Sequence, residues 1–201
     1  MAYRNFTFED IETKLGVTQV SGSLFEGKTI EPVVISERIK EQVKIAFRTA
    51  LTTEKAISER LVSPILLELQ LMNEGKIELF SGENMIGDKK LGLNGECDFI
   101  MTRAPGSKYL KAPILNVTEA KKGDIDNPAS LAQNAAQMIG ARMFNANKNY
   151  PEVTIYGSCT SGLEWVFLKL EKNQVIVDTR RYSVNQLEEL IGILNYIVNF
   201  K

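Results

Sequence analysis

The stretch P-I-L-N-V-T-E-A-K-K-G-D, Pro113 to Asp124, decides how this chain is read. It begins as a short apolar, β-branched run of the kind buried on both faces of a sheet. It then places Glu119, one small residue and Lys121 where a core should continue. Burying a charge costs free energy unless a partner meets it, so the run reads as a strand that carries chemistry to its end. In an extended chain Leu115, Val117, Glu119 and Lys121 share one face, and Ile114, Asn116, Thr118 and Ala120 the other.

Working outward, the preceding strand candidate, E-C-D-F-I-M-T from Glu96, presents Glu96, Asp98 and Ile100 on one side. The connection R-A-P-G-S-K-Y-L-K-A suits an antiparallel return, in a register that brings Asp98 opposite Glu119. A further strand is expected over Ile77 to Phe80, ahead of a Gly-rich stretch. Downstream, Pro128 to Asn145 places Leu131, Ala135, Met138, Ile139 and Met143 on one broad helical face. Val153 to Cys159 reads as a fourth strand, Trp165 to Leu170 and Val175 to Thr179 as a hairpin with a core Trp165 and Phe167, and Leu187 to Val198 as a closing amphipathic helix. Its stripe of Leu187, Leu190, Ile191, Leu194 and Val198 is core or a dimer seam.

Toward the N-terminus, Phe8 to Leu15 reads as a short helix and Val17 to Ile35 as irregular or short-stranded. From Ser36 the apolar residues recur at three- and four-residue steps. Another helix follows Thr52 or Thr53 and runs to about Met72, with Pro64 expected to kink or split it. The element order is α-β-β-β-α-β, then β-β-α. The expected organisation is one domain over residues 1–201, with a helical extension over 1–52, a core over 53–159 and a hairpin and helix over 160–201.

Composition narrows the chemistry. The 201 residues carry no histidine, which removes histidine-activated nucleophiles and histidine-bound zinc. Carboxylates, lysine and water must carry any catalysis. The net charge of -1 supplies no global positive field for nucleic acid. Cys97 and Cys159 each sit in apolar, strand-like segments and read as buried free thiols. No run approaches a membrane span and the N-terminus lacks an apolar signal core, so the expected setting is cytoplasmic, away from membranes.

Two carboxylates one strand apart beside a lysine suit a hard divalent cation, which takes oxygen ligands and shares them with water and substrate phosphate. Asp98 and Glu119 would supply the carboxylates. Lys121 would hold or activate the attacking water, or offset charge on the phosphorane.

G-E-C-D-F followed by E-A-K, in this element order, resembles the PD-(D/E)XK, or restriction endonuclease-like, superfamily. The resemblance covers residues 53–159 on a short motif, and no proline precedes Asp98. It implies a three-layer α/β fold with a mixed central sheet, an αβββαβ core flanked by helices, and a C-terminal β-hairpin and helix. It also implies an endonuclease acting on DNA with Mg2+ or Mn2+, held by Asp98 and Glu119, and Lys121 as the catalytic lysine. A glutamate on the helix before the first strand would join the metal, Glu54 or Glu59, of which Glu54 opens the helix. Gln133 or Gln137 on the following helix would face the substrate, with Gln133 nearer the opening, and Lys122 would contact it. A homodimer would help to embrace a duplex.

Two rival functions stand beside this one. A non-catalytic module of the same fold would bind nucleic acid or protein. Alternatively, G-S-L-F-E-G-K-T, Gly22 to Thr29, matches the P-loop pattern of a nucleotide hydrolase with Lys28 on the phosphates. That chemistry needs a buried strand before the loop and a helix after it. The upstream V-T-Q-V is short and polar, and Pro32 pushes Glu31 toward extended geometry. Lys89-Lys90, Lys121-Lys122 and Arg180-Arg181 are solvated pairs unless they converge beside Glu119.

Overall fold

A computed structural model describes residues 2–31, 33–151 and 153–200. An open, mixed eight-stranded sheet carries helices on both faces. Its strands are β1 (Thr18–Gly22), β2 (Glu78–Asp88), β3 (Leu93–Thr102), β4 (Ile114–Ala120), β5 (Ile155–Thr160), β6 (Glu164–Glu171), β7 (Gln174–Asp178) and β8 (Tyr182–Ser183). They lie in the order β1-β7-β6-β5-β4-β3-β2, with β8 on β6. β4 is parallel to β5, and β1 to β7, while the other neighbours are antiparallel. The carboxyl ends of β1, β4, β5 and β7 therefore share one edge, where open α/β sheets bind their ligands.

The helices are α1 (Phe8–Leu15), α2 (Glu37–Phe47), α3 (Glu54–Ile57), α4 (Ser63–Met72), α5 (Pro128–Ala146) and α6 (Leu187–Asn199). Local chemistry sets their starts: Thr7 and Asp10 form a capping box on α1, Ser36 caps α2, and Thr53 rather than Thr52 caps α3. A π turn over Ser58–Val62 joins α3 to α4, and the Ser63 N–H reaches the Ser58 carbonyl five residues back. Pro64 has no N–H to give, and its ring would crowd the carbonyl four residues earlier. Widening the turn ahead of it accommodates the proline, so it does not split the helix.

One apolar core fills the face under α2, α4 and α6, and a second fills the face under α1 and α5. The α6 stripe is inside the first core, with Leu190 and Ile191 fully buried. That overturns its use as a dimer seam, since a residue packed against its own sheet has no surface for a second copy. Trp165 and Phe167 are likewise core, stacked with ring centroids 6.3 Å apart.

The sequence reading also needs correcting at two strands. β2 continues beyond Phe80 through its glycines to Asp88, because the β2–β3 hairpin curls over α5 and needs backbone without side chains. Gly87 backs onto Gly140 so closely that a Cβ on Gly87 would lie 2.5 Å from the Gly140 Cα. The second correction is in β4, where Met101 pairs with Asn116 but Thr102 with Ile114, leaving Leu115 as a bulge. Leu115 therefore joins the α6-side core while Val117 joins the α5-side core, so the two do not share a face.

No helix among the described residues is long and apolar enough to cross a membrane.

Candidate active site

β4 is buried along its whole length, so Glu119 near its end is a carboxylate in the interior, 3 % exposed. Beyond the Leu115 bulge the register is regular: Phe99 faces Thr118 and Ile100 faces Val117. The next position outward sets Asp98 against Glu119. Asp98 Oδ2 accepts the Ala120 N–H at 2.8 Å, which fixes its carboxylate across the strand boundary.

Lys121 folds back from the end of β4, and its Nζ donates to Glu119 Oε1 at 2.7 Å. Its backbone N–H continues the ladder to the Thr160 carbonyl at the end of β5. From α5, which packs antiparallel to β4, Gln133 Nε2 donates to Glu119 Oε1 at 2.5 Å and Gln137 Nε2 to Oε2 at 2.7 Å. Glu54, in the first turn of α3, accepts the Lys122 N–H at 3.3 Å and closes the rim. Its charge is felt by both Asp98 and Lys121. Lys122 itself is exposed beside it.

The structure thus brings Asp98, Glu119, Lys121 and Glu54 together. It does not bring Glu59, whose carboxylate is 3.9 Å from the Lys55 ammonium and lines a different hollow with Gln42 and Pro64. Five residues past Glu54 the helix has turned that side chain away from the sheet edge. The reading of Gln137 as a substrate contact also fails: it is completely buried and its amide is engaged by Glu119. Gln133 is half-buried and holds the same carboxylate, so both glutamines orient Glu119. Sequence reasoning found these residues from their helical position but not their target.

Electrostatics set this cluster apart. Burial pushes the Glu119 carboxyl above the usual carboxylate range, and the Asp98 charge adds to it, against the pull of Lys121 and Gln137. Burial also raises Asp98, with Glu54 and Glu96 adding to it, against the Ala120 N–H and Lys121. For Lys121, burial alone would depress the ammonium, but Glu119, Glu54 and Asp98 outweigh it and hold its proton more tightly. Two carboxylates are thus held close in a dry setting with one ammonium between them.

A hard divalent cation fits this donor set. All the ligating atoms are oxygens, Asp98 Oδ1 makes no protein hydrogen bond among the described residues, and positive charge would offset the burial, and the lesser repulsion, that raise both carboxyls. Among the described residues no three His, Cys, Asp or Glu side chains form a metal-holding group, so water would have to complete the shell. The cluster lies at the rim of the sheet, where β4 and β5 end.

The P-loop match has the wrong surroundings. Gly22 ends β1, but among the described residues no helix leaves the loop before Glu37. Phe25 is instead buried against Phe167, Tyr182 and Tyr196. Pro32 lies outside the described residues. Lys28 and Arg180 line a hollow of about 400 Å³ with three carboxylates, Glu26, Asp178 and Glu189, which outnumber the cations and disfavour a phosphate. Of the basic pairs, Arg181 reaches the loop after β4 and holds Asp126, Arg180 pairs with Glu189 at 2.6 Å, and Lys89-Lys90 sit at the β2–β3 turn. The two cysteines are buried free thiols.

Comparison of the sequence with protein-family models and with curated proteins gives no match.

Proposed function

We propose that the protein is a Mg2+- or Mn2+-dependent nuclease of the PD-(D/E)XK type that hydrolyses phosphodiester bonds of DNA. The observation that carries this reading is the meeting of Asp98, Glu119 and Lys121 at the carboxyl edge of the sheet, with both carboxyls raised by burial. A cation held there by Asp98 and Glu119 would supply polarisation of the phosphoryl oxygen and a more acidic water. The chain's own residues do the positioning. Gln133 and Gln137 fix both oxygens of Glu119, and Glu119 in turn fixes the Lys121 ammonium. That ammonium stays charged, so its role is to hold the attacking water and offset negative charge on the phosphorane, not to remove a proton. Glu54 anchors the Lys122 backbone, which sets the loop beyond the lysine.

Cleavage of single-stranded, duplex and branched DNA, with Mg2+ and with Mn2+, tests the reading. The Lys121→Ala variant is expected to lose about 100-fold or more in rate while remaining folded by circular dichroism. Lys28→Ala is expected to cleave like the parent. A Lys121→Ala enzyme as fast as the parent would end the proposal.

A second reading, a non-catalytic module of the same fold, draws on one observation: Glu119 is already satisfied by Lys121, Gln133 and Gln137 without a cation. Nucleic-acid binding with no cleavage in either metal would favour it.

A further inference from the structure

We propose that the hollow between the β3–β4 connection and the end of α5 binds single-stranded nucleic acid, with bases stacked on Tyr109 and Tyr150 and phosphates met by Lys111 and Lys148. The hollow is about 320 Å³, and among the described residues its lining includes Tyr109, Lys111, Phe144, Lys148 and Tyr150 and no carboxylate. The described lining thus differs from that of the hollow at Lys28, which holds three carboxylates.

The backbone builds the platform from two sides. Ser107 Oγ donates to the Tyr109 carbonyl at 2.7 Å, and the Lys111 ammonium lies 4.5 Å from the Tyr109 ring centroid. Opposite, Asn149 takes a left-handed conformation after α5, and the Tyr150 N–H returns to the Asn145 carbonyl at 2.9 Å. Tyr109 is 63 % exposed and Tyr150 45 %, so neither ring serves the core. Exposed rings beside cations fit a strand whose bases are free to stack. A duplex would keep its bases from the rings, and an acidic peptide would use the lysines without needing the tyrosines.

The hollow lies at the opposite end of β4 from Glu119. The five steps of strand from Ile114 to Glu119 span about 17 Å, and the eleven steps of α5 from Gln133 to Phe144 span a similar distance. This is a second contact, not part of the carboxylate site. It takes from the proposed nuclease only the class of ligand.

The test is fluorescence anisotropy of a labelled oligo-dT of about 16 nucleotides, in EDTA, with the Lys121→Ala chain. Binding there is independent of cleavage, so failure of the nuclease reading leaves this result readable. Tyr109→Ala with Tyr150→Ala is expected to weaken binding at least about 10-fold, while Tyr→Phe at both positions keeps it. Lys111→Ala with Lys148→Ala is expected to lower the salt dependence by about one counterion or more. Circular dichroism checks that each variant folds. Unchanged affinity in the Tyr→Ala pair, equal affinity for a blunt duplex, or equal competition by poly-glutamate would overturn the proposal.

Discussion

Asp178 at the end of β7 and Glu119 near the end of β4 are both interior carboxylates on the same edge of the sheet, 2 % and 3 % exposed. Their neighbours differ. Asp178 accepts from the Leu24 N–H, the Arg180 N–H and the Tyr182 hydroxyl, and so ties the loop after β1 to the turn after β7. Glu119 also has donors, but a second carboxylate stands beside it and both carboxyls are raised. Asp178 shares a hollow with Glu26 and Glu189, but donors meet its own oxygens and make it a structural knot, whereas a carboxylate set directly across the strand from Glu119 invites a cation. The P-loop letters lie beside the first kind, and the E-A-K letters at the second.

The comparison can be broken most forcefully at Asp178. Asp178→Ala removes the acceptor of three donors and is expected to destabilise the fold by about 2–3 kcal/mol in urea titrations. Mn2+ affinity should be unmoved, and a large loss of it would erase the distinction between the two acids. Next in size is Gln137→Leu, which leaves Glu119 Oε2 without its donor. Calorimetry is expected to show about tenfold weaker Mn2+ binding, as for other residues that orient metal ligands.

The smallest effect sharpens the contrast, because its sign is reversed. The folded-state carboxyls of Asp98 and Glu119 are raised, so their contribution to stability is present below the ordinary carboxylate range and is lost as pH rises through the raised values. Asp98→Asn is therefore expected to stabilise the metal-free protein at neutral pH by about 1 kcal/mol and to flatten that decline. Melting curves from pH 4 to 8, with and without Mn2+, would check it. A metal-free parent that gains stability across this range relative to Asp98→Asn would contradict the assignment.

Much of this was legible because strand geometry is periodic and local. Counting symmetrically from the connection Arg103–Ala112 sets Asp98 against Val117; the observed register, with Thr102 on Ile114 and a bulge at Leu115, moves it two residues on to Glu119 and so keeps the face. The bulge itself left no mark in the letters, so alternation misplaced Leu115. The glycines that suggested the end of β2 serve instead where the hairpin crosses α5 at Gly87 and Gly140, a contact between residues far apart in sequence. Helical position brought Gln133 and Gln137 to notice, but whether an amide faces substrate or carboxylate depends on how α5 docks on β4. Its place at the start of the helix favours Glu54 over Glu59 from the letters alone, but the π turn between Ser58 and Val62, which sets the phase of the helix, leaves no such mark.

That wide turn makes the arrival of Glu54 a matter of counting. Removing one residue between Ser58 and Val62 would restore ordinary winding and swing the preceding turn by about 100°, carrying Glu54 off the Lys122 amide. Substitutions within the turn that keep its length would leave the alignment intact. The number of residues in this segment, more than their identity, is what the rim of the site inherits.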